Sequence, residues 1–249
     1  MTTVGTTSTK ARIIVPLDVS DLDTAEKLVT ELASHVGAFK VGYQLGYGAG
    51  WQEAAHLVRS HGGRLFVDAK FDDIPNTVAE GARQVAQLDP QFLTVHASAG
   101  GEALRAAVAA SNPTTNVLAV TVLTSIEAAE CATIFGAPPE HVVVRFALLA
   151  AQAGAAGVVC SPQELEVLAH AQREHPQLAA LTRVTPGVRP SWAAANDQKR
   201  VLTPAEAIGK GATYLVIGRP ITNPPPEIGT PADAAVAIGA EITAALGTH

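Results

Sequence analysis

Cysteine, aromatic side chains and charge are all scarce in this chain. Of its 249 residues only two are Cys, 4% are aromatic and 16% are charged. Two thiols, Cys131 and Cys160, without a Cys-x-x-Cys spacing, exclude a disulfide framework and a thiolate metal site. Both read as small apolar side chains, and this usage fits a reducing, cytoplasmic setting. Lys and Arg number 17 against 23 Asp and Glu, a formal charge of -6, and no basic cluster interrupts the balance. Bulk nucleic-acid binding is thereby excluded, because counterion release needs several cations on one face. A phosphate, if bound, must be held by a few chosen residues.

A membrane-spanning run is also missing. The uncharged stretch Phe146 to Gln163 is punctuated by Gln152, Gly154, Gly157, Ser161 and Pro162, which mark a helix end, a turn and a short buried strand. The opening MTTVGTTSTK has no basic region followed by an apolar run, so residues 1–10 read as a mobile tail rather than a signal peptide. Residues 11–249 show no linker or composition break and read as one domain. With 47% hydrophobic residues the chain can bury a real core.

What is present is an alternation. Short β-branched runs recur at 12–18, 38–42, 64–69, 92–96, 117–122, 156–160, 183–186 and 213–218, each followed by a stretch of helical period. In DLDTAEKLVTELASHVG, Leu22, Ala25, Leu28, Val29 and Leu32 share one face, acids fill the first turn and Gly37 stops the helix. Pro75 opens another helix, and Thr203 with Pro204 opens a third. The runs are apolar on both faces, as strands covered by helices must be. About eight βα units in 249 residues predict an α/β fold, a closed parallel (β/α)₈ TIM barrel. No G-x-G-x-x-G follows the first strand, which leaves a dinucleotide-binding open sheet without support.

A barrel places its chemistry at the C-terminal ends of its strands. Asp18, Lys40, Asp68, Lys70, His96, Thr124, Pro186, Gly218 and Arg219 all fall at or just beyond such ends. In FVDAKFDDIPNTV (66–78), Asp68 and Lys70 are two apart, so strand alternation turns both toward the mouth and Ala69 toward the helices. An isolated D-x-K-x-x-D is most often a solvated salt bridge. Here Asp18 and Lys40 end the first two strands and face the same mouth, and an acid–lysine cluster held away from water is costly unless its members pair. For Thr124 a helix-capping role and a ligand-binding role both stand. His96 reads as a strand-end ring satisfied by neighbouring backbone.

VDAKFDDIPNT resembles the signature of orotidine 5′-phosphate decarboxylases, and the resemblance extends along the chain through LDV (17–19), FKVG (39–42), VHAS (95–98), TVLTS (121–125), GVVCSP (157–162), TPGVRP (185–190), NDQKRVLTP (196–204) and YLVIGRPIT (214–222). The resemblance implies decarboxylation of orotidine 5′-phosphate to uridine 5′-phosphate in pyrimidine synthesis, with neither cofactor nor metal. It implies that Lys70 stabilises the carbanion at C6 and protonates it, that Asp68 holds Lys70 and faces the substrate carboxylate, and that Lys40 and Asp18 bind the ribose. Asp73, Ile74 and Thr77 would come from the other subunit of a homodimer. Thr124 would meet the pyrimidine, Pro186 would line the mouth, and Arg189, Gln198, Gly218 and Arg219 would hold base and phosphate. The Ala-rich SWAAAND (191–197) suits a loop that folds over phosphate. Two features depart from the family pattern: Asp72 stands where His is common, and HASAGG carries one residue more than the frequent HAxGG.

Two rivals remain at this level. A Mg²⁺-dependent sugar-phosphate decarboxylase or aldolase of the same barrel type would need a further acid after an early strand, where FKVGYQLG offers Lys40. A non-catalytic nucleotide-binding barrel would keep Gln198 and Arg219 but would have no need of the Lys70 charge.

Overall fold

The computed structural model describes residues 8–193 and 202–247. Eight parallel strands close in chain order: β1 (Ile13–Pro16), β2 (Ala38–Val41), β3 (Leu65–Phe71), β4 (Phe92–His96), β5 (Asn116–Val120), β6 (Gly157–Val159), β7 (Thr182–Pro186) and β8 (Tyr214–Val216). Ile14 pairs with Ala38 on one side and Val216 on the other, which joins the last strand to the first and leaves no open edge. The helices follow in order: α1 (Leu22–Leu32) after β1, α2 (Tyr43–Ala49) and α3 (Trp51–Ser60) after β2, α4 (Pro75–Ala86) after β3, and α5 (Gly101–Ala110) after β4. Next come α6 (Ala128–Phe135) and α7 (Pro139–Ala153) after β5, α8 (Leu165–Glu174) after β6, α9 (Pro204–Gly209) after β7, and α10 (Arg219–Thr222) and α11 (Pro231–Leu246) after β8. This is the predicted (β/α)₈ barrel.

Local chemistry starts the helices where the sequence indicates. Pro75 occupies the first turn of α4, and Thr203 and Glu206 form a reciprocal capping box at α9. At α1 the Asp21 carboxylate accepts the Thr24 amide at 2.8 Å. That helix ends at Leu32, short of the expected stop at Gly37. Gly37 serves a different purpose: a Cβ there would lie 2.2 Å from the Ala11 carbonyl oxygen, so the chain passes too closely for any side chain. Residues 1–7 of the expected tail lie outside the described residues. Its remainder is placed, with Thr9–Arg12 in a 3₁₀ turn and the Thr9 hydroxyl 3.0 Å from that of Thr243 on α11.

Strand alternation divides the core in two. Ile14, Ala38, Phe66, Phe92, Leu118, Val184 and Val216 point inward and pack together, while Ile13, Val15, Leu65, Val67, Leu93 and Val95 belong to the larger shell under the helices. Inside the barrel, Phe92 stacks edge-on against Phe66 at 5.5 Å and Tyr214 at 5.2 Å. Two residues further along each strand the same inward face reaches the C-terminal mouth, so this packed plug forms the floor of whatever site lies above it. No single helix among the described residues is long and apolar enough to cross a membrane.

The plug generates a stability prediction. Phe92→Ala empties the centre of an interior that helices and strands prevent from collapsing, and it should cost about 3–5 kcal/mol in urea unfolding. A loss below about 1 kcal/mol would show that the interior is not packed as described.

Candidate active site

Inward-facing positions at the mouth hold a row of alternating charge. The Lys40 ammonium lies 3.5 Å from Asp18 and 3.2 Å from Asp68, and the Lys70 ammonium lies 2.6 Å from the same Asp68 Oδ2. Asp68 is buried, Lys40 and Lys70 are half-buried, and Asp18 is exposed. Burial pushes the Asp68 carboxyl upward. The Lys40 and Lys70 ammonium groups, with hydrogen bonds from Lys70 and Thr94, outweigh burial and hold it below the usual carboxylate range.

Alternation alone does not account for this pairing. β3 pairs regularly up to Val67 opposite Leu93 and resumes at Phe71 opposite Val95, so three residues, Asp68, Ala69 and Lys70, face the single residue Thr94. Lys70 takes a left-handed backbone with φ +48°, a conformation side-chain-bearing residues adopt rarely and at a cost of about 1–3 kcal/mol. Asp68 and Lys70 do share the mouth and Ala69 packs toward the helix side, as expected, but a bulge produces that arrangement.

The row borders a cavity of about 370 Å³, a volume suited to a small-molecule ligand. Its wall includes Asp18, Lys40, Asp68, Lys70, Thr124, Pro186, Arg189, Gly218 and Arg219, nine of the predicted site residues. The floor and far wall are apolar, with Phe66, Val120, Val159, Val184 and Val216 among them. The cavity thus offers fixed charges on one side, a dry face for a flat ring opposite, and two guanidinium groups at the β7–β8 end. Gly218 packs closely against β1 there, where a Cβ would meet the Pro16 ring at 3.1 Å. Gln198 and most of SWAAAND lie outside the described residues.

Asp73, Ile74 and Thr77 are not brought into this cavity. All three are exposed; Asp73 Oδ1 accepts the Ile74 amide at 2.6 Å, and the Ile74 side chain is 66% exposed. His96 also differs from expectation. Among the described residues its ring has no hydrogen-bond partner, and burial, opposed by Asp72, holds it below the usual histidine range, so it is uncharged at neutral pH. Cys160 lines the cavity as a thiol, with burial pushing it up to about 12. Burial likewise raises the Cys131 thiol, in keeping with its apolar reading. Among the described residues, no three His, Cys, Asp or Glu side chains gather as a metal site.

Three participants escaped the sequence reading. Thr94 is fully buried between Asp68 and the Lys70 amide; its signal was a hydroxyl in the middle of the apolar run FLTVH. Tyr43 lies beneath the Lys70 ammonium, 5.3 Å from ring centroid to Nζ, and donates to the Ala69 carbonyl at 3.3 Å. Glu164, pushed up to about 7 by burial, accepts the amide of the cavity residue Ser161 at 2.8 Å. The two departures from the family pattern meet each other: Ser98, in the 3₁₀ turn that HASAGG forms, donates to Asp72 at 3.2 Å.

Known proteins resemble this chain in sequence and in fold. Residues 11–230 match the model of the orotidine 5′-phosphate decarboxylase / HUMPS family. The chain is 47% identical over 243 residues to the orotidine 5′-phosphate decarboxylase of Moorella thermoacetica, covering 94% of this chain and 92% of that one. Identity to the enzyme of the same name from Thermobifida fusca is 47% over 235 residues, covering 93% and 96%. The crystal structure of the Lactobacillus acidophilus orotidine 5′-phosphate decarboxylase superposes with a TM-score of 0.74 at 31% identity, over 92% of this chain and 98% of that one.

The charge row makes a titration prediction. An unfolded Asp titrates near about 3.9, and the folded Asp68 is held lower, so its ionisation contributes stability above that pH and loses it as pH falls through the folded value. Lys40→Met removes one ammonium, so Asp68 should titrate at higher pH in carboxyl ¹³C NMR, and acid unfolding should begin at higher pH than in the wild type. An unmoved Asp68 midpoint would refute the coupling.

Proposed function

The chain belongs to the orotidine 5′-phosphate decarboxylase / HUMPS family, and from that premise we propose that it converts orotidine 5′-phosphate to uridine 5′-phosphate with Lys70 as the group that meets the reacting carbon. The observation that carries this reading is the Lys70 ammonium held 2.6 Å from a buried carboxylate on the wall of the cavity. Loss of carbon dioxide leaves an electron pair at C6 that the pyrimidine cannot delocalise well. A fixed cation beside it stabilises the developing charge, and its N–H then supplies the proton that replaces the carboxylate. Asp68 keeps that cation oriented and lies near the departing carboxylate. Unit charges about 4 Å apart interact by roughly 4 kcal/mol at an effective dielectric of 20, a repulsion relieved when carbon dioxide leaves.

The remaining roles follow the layout of the cavity. Asp18 and Lys40 bind the ribose hydroxyls, Thr124 the pyrimidine edge, and the apolar floor its flat face, with Pro186 at the rim. Arg189 and Arg219 hold the phosphate with the Gly218 backbone, and Gln198 contributes to base and phosphate binding as the family resemblance implies. Binding energy gathered at the phosphate is available to orient the ring, although it is remote from C6. Neither metal nor cofactor enters this chemistry. The Mg²⁺-dependent sugar-phosphate reading needs an acid where β2 presents Lys40. A non-catalytic binder leaves the Lys70–Asp68 pair and its backbone cost without a use.

We propose further that the enzyme is a cytoplasmic homodimer whose sites are shared. Asp73, Ile74 and Thr77 would complete the partner's cavity. The supporting observation is apolar surface at the rim: Ile74 is 66%, Tyr47 77% and Tyr43 48% exposed, on the β3–α4 segment and α2. Its place would be in pyrimidine nucleotide synthesis.

An ultraviolet assay of orotidine 5′-phosphate tests the activity directly. Lys70→Ala should lower kcat by about a thousandfold or more; turnover close to wild type would remove Lys70 from the mechanism. Lys70→Ala and Asp73→Ala homodimers should each be nearly inactive, and mixing them should restore activity through hybrid dimers that contain one intact site. Hybrids that form and stay inactive would sink the shared site.

A further inference from the structure

We propose that Thr94 is a positioning residue for the decarboxylation, its single hydroxyl locking the bulge that carries Lys70 to the carboxylate it pairs with. The proposal rests on the reading of Lys70 given above and extends it from the residue that acts to the one that aims it.

The bulge sets a problem that Thr94 solves. Three residues of β3 face Thr94 alone, so the regular ladder is interrupted, and the Lys70 backbone turns left-handed. A strand amide displaced in this way loses its ladder partner and, buried, must find another. The Lys70 amide donates instead to Thr94 Oγ1 at 2.9 Å. The same hydroxyl, its oxygen accepting that hydrogen bond, still has an O–H to donate, and it donates to Asp68 Oδ1 at 2.9 Å. Both ends of the excursion are tied to one atom. Asp68 Oδ1 is thereby engaged by Thr94, which leaves Oδ2 for the two ammonium groups at 2.6 and 3.2 Å.

Thr94 does not line the cavity, and its hydroxyl meets the Lys70 amide rather than the ammonium. It lies on the inward face of β4, two residues beyond the packed Phe92, and is fully buried. Its floor is therefore rigid, and both of its partners are on the same short excursion of the neighbouring strand. A hydroxyl fixed from below in this way restricts the Lys70 backbone to one conformation and the Asp68 carboxylate to one rotamer. Valine has nearly the same shape and can make neither bond. Lys40 from β2, Lys70 from β3 and Thr94 from β4 set the Asp68 titration against its burial, and Tyr43 on α2 and His96 on β4 in turn feel the Asp68 charge.

Three variants with a measured pH profile decide the matter. Wild-type turnover of orotidine 5′-phosphate is the control for the underlying reading; if the wild type is inactive, that reading fails. With an active wild type, Thr94→Val should lower kcat about ten- to a hundredfold, the effect of losing hydrogen bonds to a charged group and a buried amide, while KM changes less than about threefold. The acid limb of kcat should move to higher pH, because Asp68 loses a donor that favours its ionised form. Thr94→Ser retains the hydroxyl and should restore both kcat and the acid limb. If Thr94→Val does not fold, Thr94→Ala removes the same hydroxyl and takes its place. Wild-type kcat and acid limb in the hydroxyl-free variant, whatever its melting temperature, would overturn the proposal, as would a Thr94→Ser variant as impaired as Thr94→Val.

Discussion

A carboxylate inside an apolar barrel is stable only if the groups around it repay its lost hydration, and the organisation of the mouth follows from how Asp68 meets that condition. The idealised penalty for burying an ion is large, and even after relaxation it amounts to several kcal/mol, so one partner at the surface would not suffice. Asp68 has Lys40 and Lys70 on one oxygen and the Thr94 hydroxyl on the other. Three strands, β2, β3 and β4, must therefore be in register before the carboxylate is satisfied. Closure of the barrel, which fixes that register around the ring, is what lets four charged side chains occupy positions that on other strands are apolar.

Strain enters the same economy of forces. The left-handed backbone at Lys70 is unfavourable by itself, and the bulge gives up ladder bonds between β3 and β4. Compensation is local: the amide bond to Thr94, the ion pair to Asp68, the Tyr43 ring beneath the ammonium, and regular pairing on both sides of the excursion. For the proposed chemistry the consequence is a cation whose position is set before substrate arrives. Electrostatic stabilisation of a transition state is most effective when the stabilising charge does not have to reorganise during the reaction.

The parts of this design that were legible in the sequence are those determined by neighbours in the chain. Period and caps located the strands and the starts of α4 and α9, and strand ends located Asp18, Lys40, Asp68 and Lys70, because alternation along one strand is a local rule. The bulge was not legible. It exists only as a mismatch between β3 and β4, and D-A-K reads as ordinary alternation until Leu93 and Val95 are seen to bracket a single residue. Thr94 and Tyr43 were missed for the same reason: their partners are 24 and 27 residues away, on other elements. Gly37 was misread as a helix stop because the Ala11 carbonyl it accommodates belongs to a distant segment. The strand-end position of His96 suggests a backbone partner, whereas its burial, which holds the ring below the usual histidine range, is set by packing from other elements.

The asymmetry of the rim bears on the proposed sharing of sites between two chains. On the β7–β8 side Arg189, Gly218 and Arg219 come to the cavity from their own strand ends. On the β3 side the segment beyond the bulge does the reverse: Asp73 accepts the amide of the adjacent Ile74, and Ile74, like the tyrosines of α2, presents an apolar side chain to water. Apolar side chains grouped at the edge of a charged cavity are unfavourable in water and become favourable once covered, at about 25 cal/mol per Å² of apolar surface buried. A second copy placed with the same segment facing this one would cover that edge by symmetry, each rim burying the other. The bulge that inverts the backbone at Lys70 and the outward course of residues 72–74 are consecutive in the chain, so positioning the cation and leaving an exposed apolar side chain at the rim are consequences of one local fold.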